Sequence, residues 1–124
     1  MTKKKTLTKE VLIIKALREL PVPLKDNKHR IVIFFNDDRA RSNETRFEHI
    51  SALRHDLQPS DIRRIGQKIN DSIMKRDSER NDTFNLYIKR NNYSNEFIKI
   101  SLELDFKESN NATVKTVFIT KNLK

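Results

Sequence analysis

Apolar residues recur along this chain in two periods, and the change between them falls near residue 82. Before it the spacing is mostly helical. Thr8 stands where an N-cap is wanted, and Leu7, Val11, Ile14 and Leu17 form one stripe, which predicts a helix running to Leu20. Pro21 and Pro23 stop it, because proline lacks the amide hydrogen and clashes with the preceding turn. Residues 24–30 are polar and read as loop. Ile31, Val32, Ile33, Phe34 and Phe35 are wholly apolar, β-branched or aromatic, which marks a buried strand. A charged loop over 36–43 follows, with Asp37, Asp38, Arg39 and Arg41. Ser42 or Asn43 then caps a second helix over 44–57, with Phe47, Ile50, Leu53 and Leu57 inward. Pro59 ends it and opens a third helix with an acidic first turn at Ser60 and Asp61. Ile62, Ile65, Ile69 and Ile73 follow at helical spacing, and Gly66 among them marks a close helix contact.

After a polar linker over 77–82 the period becomes two. Phe84, Leu86 and Ile88 alternate with Asn85, Tyr87 and Lys89; Ile98, Ile100, Leu102, Leu104 and Phe106 alternate with Lys99, Ser101, Glu103 and Asp105. Turn clusters at 91–95 and 107–111 separate these runs from a last strand over 113–120. In that strand alternation puts Lys115 with Val117 and Ile119, but Thr116 and Thr120 with Val114 and Phe118, so its two faces are poorly sorted. The expected class is α+β. N-terminal helices pack on one face of a C-terminal antiparallel sheet of three to four strands. Residues 1–5 form a basic tail before a single domain over 6–124.

Charge changes the picture more than size does. The chain has 124 residues, 35% hydrophobic and 35% charged, with a formal net charge of +9. An excess of that sign on a small domain draws polyanions, nucleic acid first. The absence of tryptophan and of a basic amphipathic helix with bulky anchors argues against a membrane surface as partner. Without cysteine there is neither a disulfide framework nor a Cys-based zinc site. No apolar run approaches a membrane span, and the cytoplasm is the expected compartment.

Candidate chemistry is narrow. A single glycine excludes a phosphate loop and a dinucleotide fingerprint, and no paired-histidine motif suggests a zinc hydrolase. Asp37 and Asp38 are adjacent carboxylates that a Mg²⁺ ion would accept, although a polar loop explains them as well. His29 lies in a polar loop and reads as structural. His49 and His55 share the second predicted helix, about 120° apart around its axis, so both do not face one site. His55, beside Arg54, lies near a helix C-terminus, which favours a protonated imidazole. The strands add Tyr87, Lys89, Lys99 and Ser101, then Lys115, Thr116, Thr120 and Lys121, the side chains of a phosphate-binding surface.

The order of these motifs resembles the superfamily of small metal-independent RNases that includes barnase, EndoU, tRNA-cleaving colicins and RelE toxins, in its phage and mobile-element branch. The string carrying His49, Ile50, Arg54 and His55 comes first, then Asp61 with Ile62 and Ile65, then the strands closing on Val114 to Thr120. The resemblance spans 44–121. It implies His55 as catalytic acid or base, Lys99, Lys115 and Thr116 in the catalytic centre, and Arg54, Tyr87, Lys89, Arg90, Thr120 and Lys121 on substrate. It also implies RNA, such as tRNA or ribosome-associated RNA, as partner, no cofactor or metal, and a protein inhibitor if the chain is a toxin. The chain departs from the two-histidine EndoU pattern, because His49 turns away from His55; a lysine or Tyr87 is then left for the second proton-transfer role. In such a reaction the 2′-OH attacks the adjacent phosphorus and leaves a 2′,3′-cyclic phosphate, so DNA is not cut. Two other readings fit the same basic sheet. One is a nucleic-acid-binding module that stacks bases on Tyr87, Tyr93 or Phe97. The other is a protein-interaction domain of a mobile element with an acidic partner.

Overall fold

A computed structural model describes residues 8–52, 57–76, 82–93, 95–105 and 108–121. Helix α1 (Lys9–Glu19) starts where Thr8 accepts a hydrogen bond from the Val11 amide at 3.2 Å. Its buried side is Ile13, Ala16 and Leu17, with Leu20 just beyond. The expected stripe is therefore rotated: Val11 is 48% exposed and Ile14 only half-buried. Leu12, Ile13 and Ile14 are consecutive apolar residues, so periodicity alone does not choose which faces inward.

The strands overturn the expected sheet. Six of them form one mixed sheet instead of three or four antiparallel ones. They are β1 (Leu24–Asp26), β2 (Ile31–Phe34), β5 (Ile73–Arg76), β6 (Thr83–Lys89), β7 (Phe97–Asp105) and β8 (Glu108–Thr120), in the order β1-β2-β8-β7-β6-β5. The pairing of β2 with β8 is parallel, Ile33 lying opposite Ala112, and the other pairings are antiparallel. A separate small hairpin joins β3 (Arg39–Arg41) to β4 (Glu44–Thr45).

Each difference has a local cause. Strand β1 lies in the stretch expected as loop because Leu24 and Asp26 are buried against β2, a tertiary effect that the polar composition of 24–30 hides. Asp26 accepts backbone hydrogen bonds from Lys28 and His29 at 3.1 and 3.2 Å and thereby shapes the turn into β2. Helix α2 (Arg46–Ser51) starts after the expected cap, because Thr45 and Glu48 form a reciprocal capping box while Ser42 and Asn43 belong to the hairpin. Residues 53–56, Leu53 among them, lie outside the described residues, and Leu57, the expected end of that helix, is buried but not helical. Helix α3 (Pro59–Lys68) buries Ile62 and Ile65, and Ile69 follows in a 3₁₀ turn over Ile69–Asp71. The chain then becomes extended at Ser72. Ile73, expected on the helical stripe, instead lies on edge strand β5 and is 40% exposed.

One core results. Leu17, Ile50, Ile62 and Ile65 from the helices meet Ile33, Leu86, Ile98, Ile100, Val114 and Val117 from the sheet, all at most 2% exposed. Gly66 lies where α3 meets the end of α1: a Cβ there would stand 3.1 Å from Leu20 Cδ2. Gly66→Val is expected to destabilise the protein by about 1–3 kcal/mol through overpacking, read by urea unfolding. A midpoint equal to that of the parent protein would show that Leu20 moves aside freely.

Candidate nucleic-acid interface

Strand β7 sorts its side chains cleanly. Ile98, Ile100 and Leu102 enter the core, so Phe97, Lys99, Ser101 and Glu103 stand on the other face of the sheet. The register sets what lies beside them. Lys99 is opposite Tyr87 of β6 and Phe118 of β8; Ser101 is opposite Asn85 and Thr116; Phe97 is opposite Lys89 and Thr120. Tyr87, Lys99, Thr116 and Thr120 thus share one face, with diagonal neighbours spaced about 7–8 Å apart.

The poorly sorted faces of β8 follow from an irregularity. Ser101 pairs with Thr116 but Leu102 pairs with Val114, which leaves Lys115 as an extra residue. The bulge resets the alternation. Val114, Val117 and Ile119 can all turn to the core, and Thr116, Phe118 and Thr120 all turn away from it. Arg46 braces this point. Its side chain is buried, donates to the Lys115 carbonyl at 3.1 Å and pairs with Asp38 at 2.9 Å.

Charge on this face is unevenly compensated. The Lys115 ammonium lies 3.2 Å from the Glu103 carboxylate. The Lys99 ammonium has no carboxylate within ion-pair distance among the described residues; it sits 5.8 Å from the Tyr87 ring centroid and 5.1 Å from that of Phe118. Two π-faces hold the cation in place, each contributing on the order of 0.5–1 kcal/mol, without neutralising it. A half-buried ammonium with no carboxylate partner among the described residues, on a face that carries hydroxyl groups, can receive an anion. The β6 side of the face is closed, since Tyr87, Asn85 and Thr83 are buried. The accessible strip therefore runs along β7 and β8, where Lys99, Ser101, Glu103, Thr116 and Phe118 are half-exposed.

The other candidate residues fall in several places. Tyr87 is only 1% exposed and packs edge-on against Phe97, so no base can stack on it without displacing that contact. Lys89 and Lys121 are exposed. Arg90 points elsewhere. It bonds Asp61 through Nε and Nη2, both at 3.0 Å, and Glu96 at 3.1 Å, which ties the β6–β7 connection to α3. Hydrogen bonding to Asp61 raises the Arg90 pKa above its ordinary value, against the opposing pull of burial. Arg54 and His55 lie outside the described residues. His49 pairs with Glu44 at 3.1 Å and His29 with buried Asp26 at 2.7 Å. Asp37 accepts from the Phe47 amide and Asp38 from Arg46, so the adjacent carboxylates serve the start of α2. Among the described residues no cluster of three metal-ligating side chains occurs.

Two members of the strip are not among the site residues expected from the sequence, Glu103 and Phe118. Glu103 is within reach of sequence reasoning, because it follows Lys99 and Ser101 at a spacing of two. Phe118 is not, because only the bulge separates it from Val114. No helix among the described residues is long and apolar enough to cross a membrane. No family model matches the chain, and no curated protein or solved structure matches it either.

Proposed function

We propose that the chain binds RNA along the β7–β8 strip and cleaves it without metal, through attack of the 2′-OH on the adjacent phosphorus. The observation that carries the reading is the uncompensated Lys99 ammonium, flanked on the same face by Ser101, Thr116 and the Glu103–Lys115 pair. A phosphodiester placed there sets its non-bridging oxygens against Lys99 and the hydroxyl groups, which stabilise the extra negative charge of the phosphorane. The Glu103 carboxylate, beside Lys115, is the base in this scheme and takes the 2′-OH proton. The new O2′–P bond forms as the P–O5′ bond breaks. His55, assigned by the resemblance alone, donates a proton to the departing oxygen. The products are a 2′,3′-cyclic phosphate and a 5′-OH, and the chain acts in the cytoplasm, where its substrate is made. Buried Tyr87 keeps Lys99 in place and does not act on substrate.

The purified chain is expected to cut single-stranded RNA in EDTA, leave cyclic phosphate ends, and spare the same sequence as DNA. Both His55→Ala and Glu103→Gln are expected to lower the cleavage rate ~10²–10⁴-fold while RNA is still bound. A salt-sensitive complex with no cut in any buffer would leave the binding module in its place. If no RNA is retained at physiological salt, both readings fall.

A further inference from the structure

The β6–β7 end of the sheet carries a second basic site. Strand β5 pairs with β6 only as far as Tyr87, so Ile88 and Lys89 have no β5 partner. Beside that gap a pocket of about 210 Å³ opens between α3 and the sheet, lined by Arg64, Lys68, Lys89, Asn92, Tyr87 and Phe97 among others. Arg64 donates its Nε hydrogen to the Lys89 carbonyl at 2.6 Å, which fixes the guanidinium at the rim. Among the described residues Lys68 has one loose ion pair, 4.0 Å to exposed Asp71. Lys89 has no ion-pair partner among the described residues. Among those residues, three cations thus face one carboxylate across a small opening.

The pocket adjoins the Lys99 site. Tyr87 and Phe97, which pack edge-on at 6.4 Å, form its inner wall, and the Lys99 ammonium lies over the same Tyr87 ring. On the β6–β7 connection, Tyr93 is 97% exposed, next in sequence to pocket-lining Asn92. That connection is held from below by Arg90 and within itself by the Tyr93 amide donating to Asn91 Oδ1 at 2.9 Å. A fully exposed aromatic ring one residue along the chain from the lining of a basic pocket offers a face on which a base can stack. The volume is below the ~300–1,000 Å³ of pockets that enclose a free ligand, and suits one unit of a longer chain.

We infer that this pocket is a neighbouring nucleotide subsite for single-stranded RNA: the backbone phosphate lies against Arg64, Lys68 and Lys89, and the base stacks on Tyr93. The strand then runs from Lys99 past half-exposed Phe97 and around the end of β6. The inference rests on the RNA reading above. It adds the direction of the strand and a requirement for an unpaired nucleotide next to the cleaved one.

The test measures binding of fluorescent 2′-deoxy oligonucleotides, which are not cleaved, of two and of eight nucleotides. Tyr93→Ala is expected to weaken the octamer about 5- to 100-fold and leave the dimer unchanged, with Tyr93→Phe restoring affinity because stacking needs no hydroxyl. Lys68→Ala is expected to lower the salt slope for the octamer by about one and not that for the dimer. Both side chains are exposed or rim positions, and circular dichroism checks that the variants fold. If Lys99→Met weakens both oligonucleotides while Tyr93→Ala and Lys68→Ala change neither, the subsite is refuted and the strip reading stands. If the parent protein binds neither oligonucleotide nor RNA, both proposals fall together.

Discussion

Replacing Lys99 by methionine is expected to lower kcat/KM on RNA by roughly 10²–10³-fold, the effect of removing one aligned cationic or hydrogen-bond donor from a charge-developing centre, about 2.7–4 kcal/mol. Methionine keeps the length of the stem and its contact with the Tyr87 and Phe118 rings and deletes only the charge. The fold should lose no more than the two cation–π contacts, about 1–2 kcal/mol, because that ammonium has no carboxylate partner among the described residues to strand. Melting temperature should fall by several degrees at most. Lys99→Arg should recover part of the activity, since the charge returns with a different geometry. Cleavage at the parental rate by the methionine variant would remove this residue from the reaction and with it the main support for the strip.

The largest loss of stability is expected at the other end of β6. Asp61→Ala should destabilise the protein by about 3–5 kcal/mol, because it leaves the Arg90 charge buried without its principal partner. The Arg90 and Asp61 side chains are 16% and 5% exposed, so water does little to replace the pair. Asp61 also accepts from the Gln58 amide at 2.8 Å, and the first turn of α3 would lose that support as well. For a chain of this size the expected fall in Tm is on the order of 10 °C. The double variant with Asp61→Leu and Arg90→Met should recover much of the loss, since replacing both members removes the stranded charge. A single-variant loss below about 1 kcal/mol by chemical denaturation would show that the remaining partners of Arg90, Glu96 among them, compensate its charge.

How far the sequence reaches depends on which force sets each element. The alternation in β7 is set by a half-buried sheet face, a period of two that nothing nearby competes with, so the sharing of one face by Lys99, Ser101 and Glu103 is readable. The same rule fails in β8, because a single inserted residue at Lys115 reverses every later position and leaves no compositional mark. Gly66 is legible as a close contact because glycine weakens a helix interior, a cost that tight packing against Leu20 offsets. Strand β1 is not legible, since only pairing with β2 makes residues 24–26 extended. Arg90 reads as facing substrate because a basic residue at a strand end looks the same whether it meets a phosphate or a carboxylate twenty-nine positions away. Ile73 continues a helical spacing by coincidence, after the 3₁₀ turn has ended the helix.

The parallel pairing of β2 with β8 reaches further than the site. Val32 waits for Asn111, a partner synthesised long after it, so this seam closes late and at a high entropic cost of loop closure. Until it closes, the longest strand of the sheet has a bare side, and a second molecule in the same condition offers the matching one. Crowded synthesis should therefore favour exchange of this N-terminal ribbon between copies, and dilution or slow production should favour the monomeric arrangement.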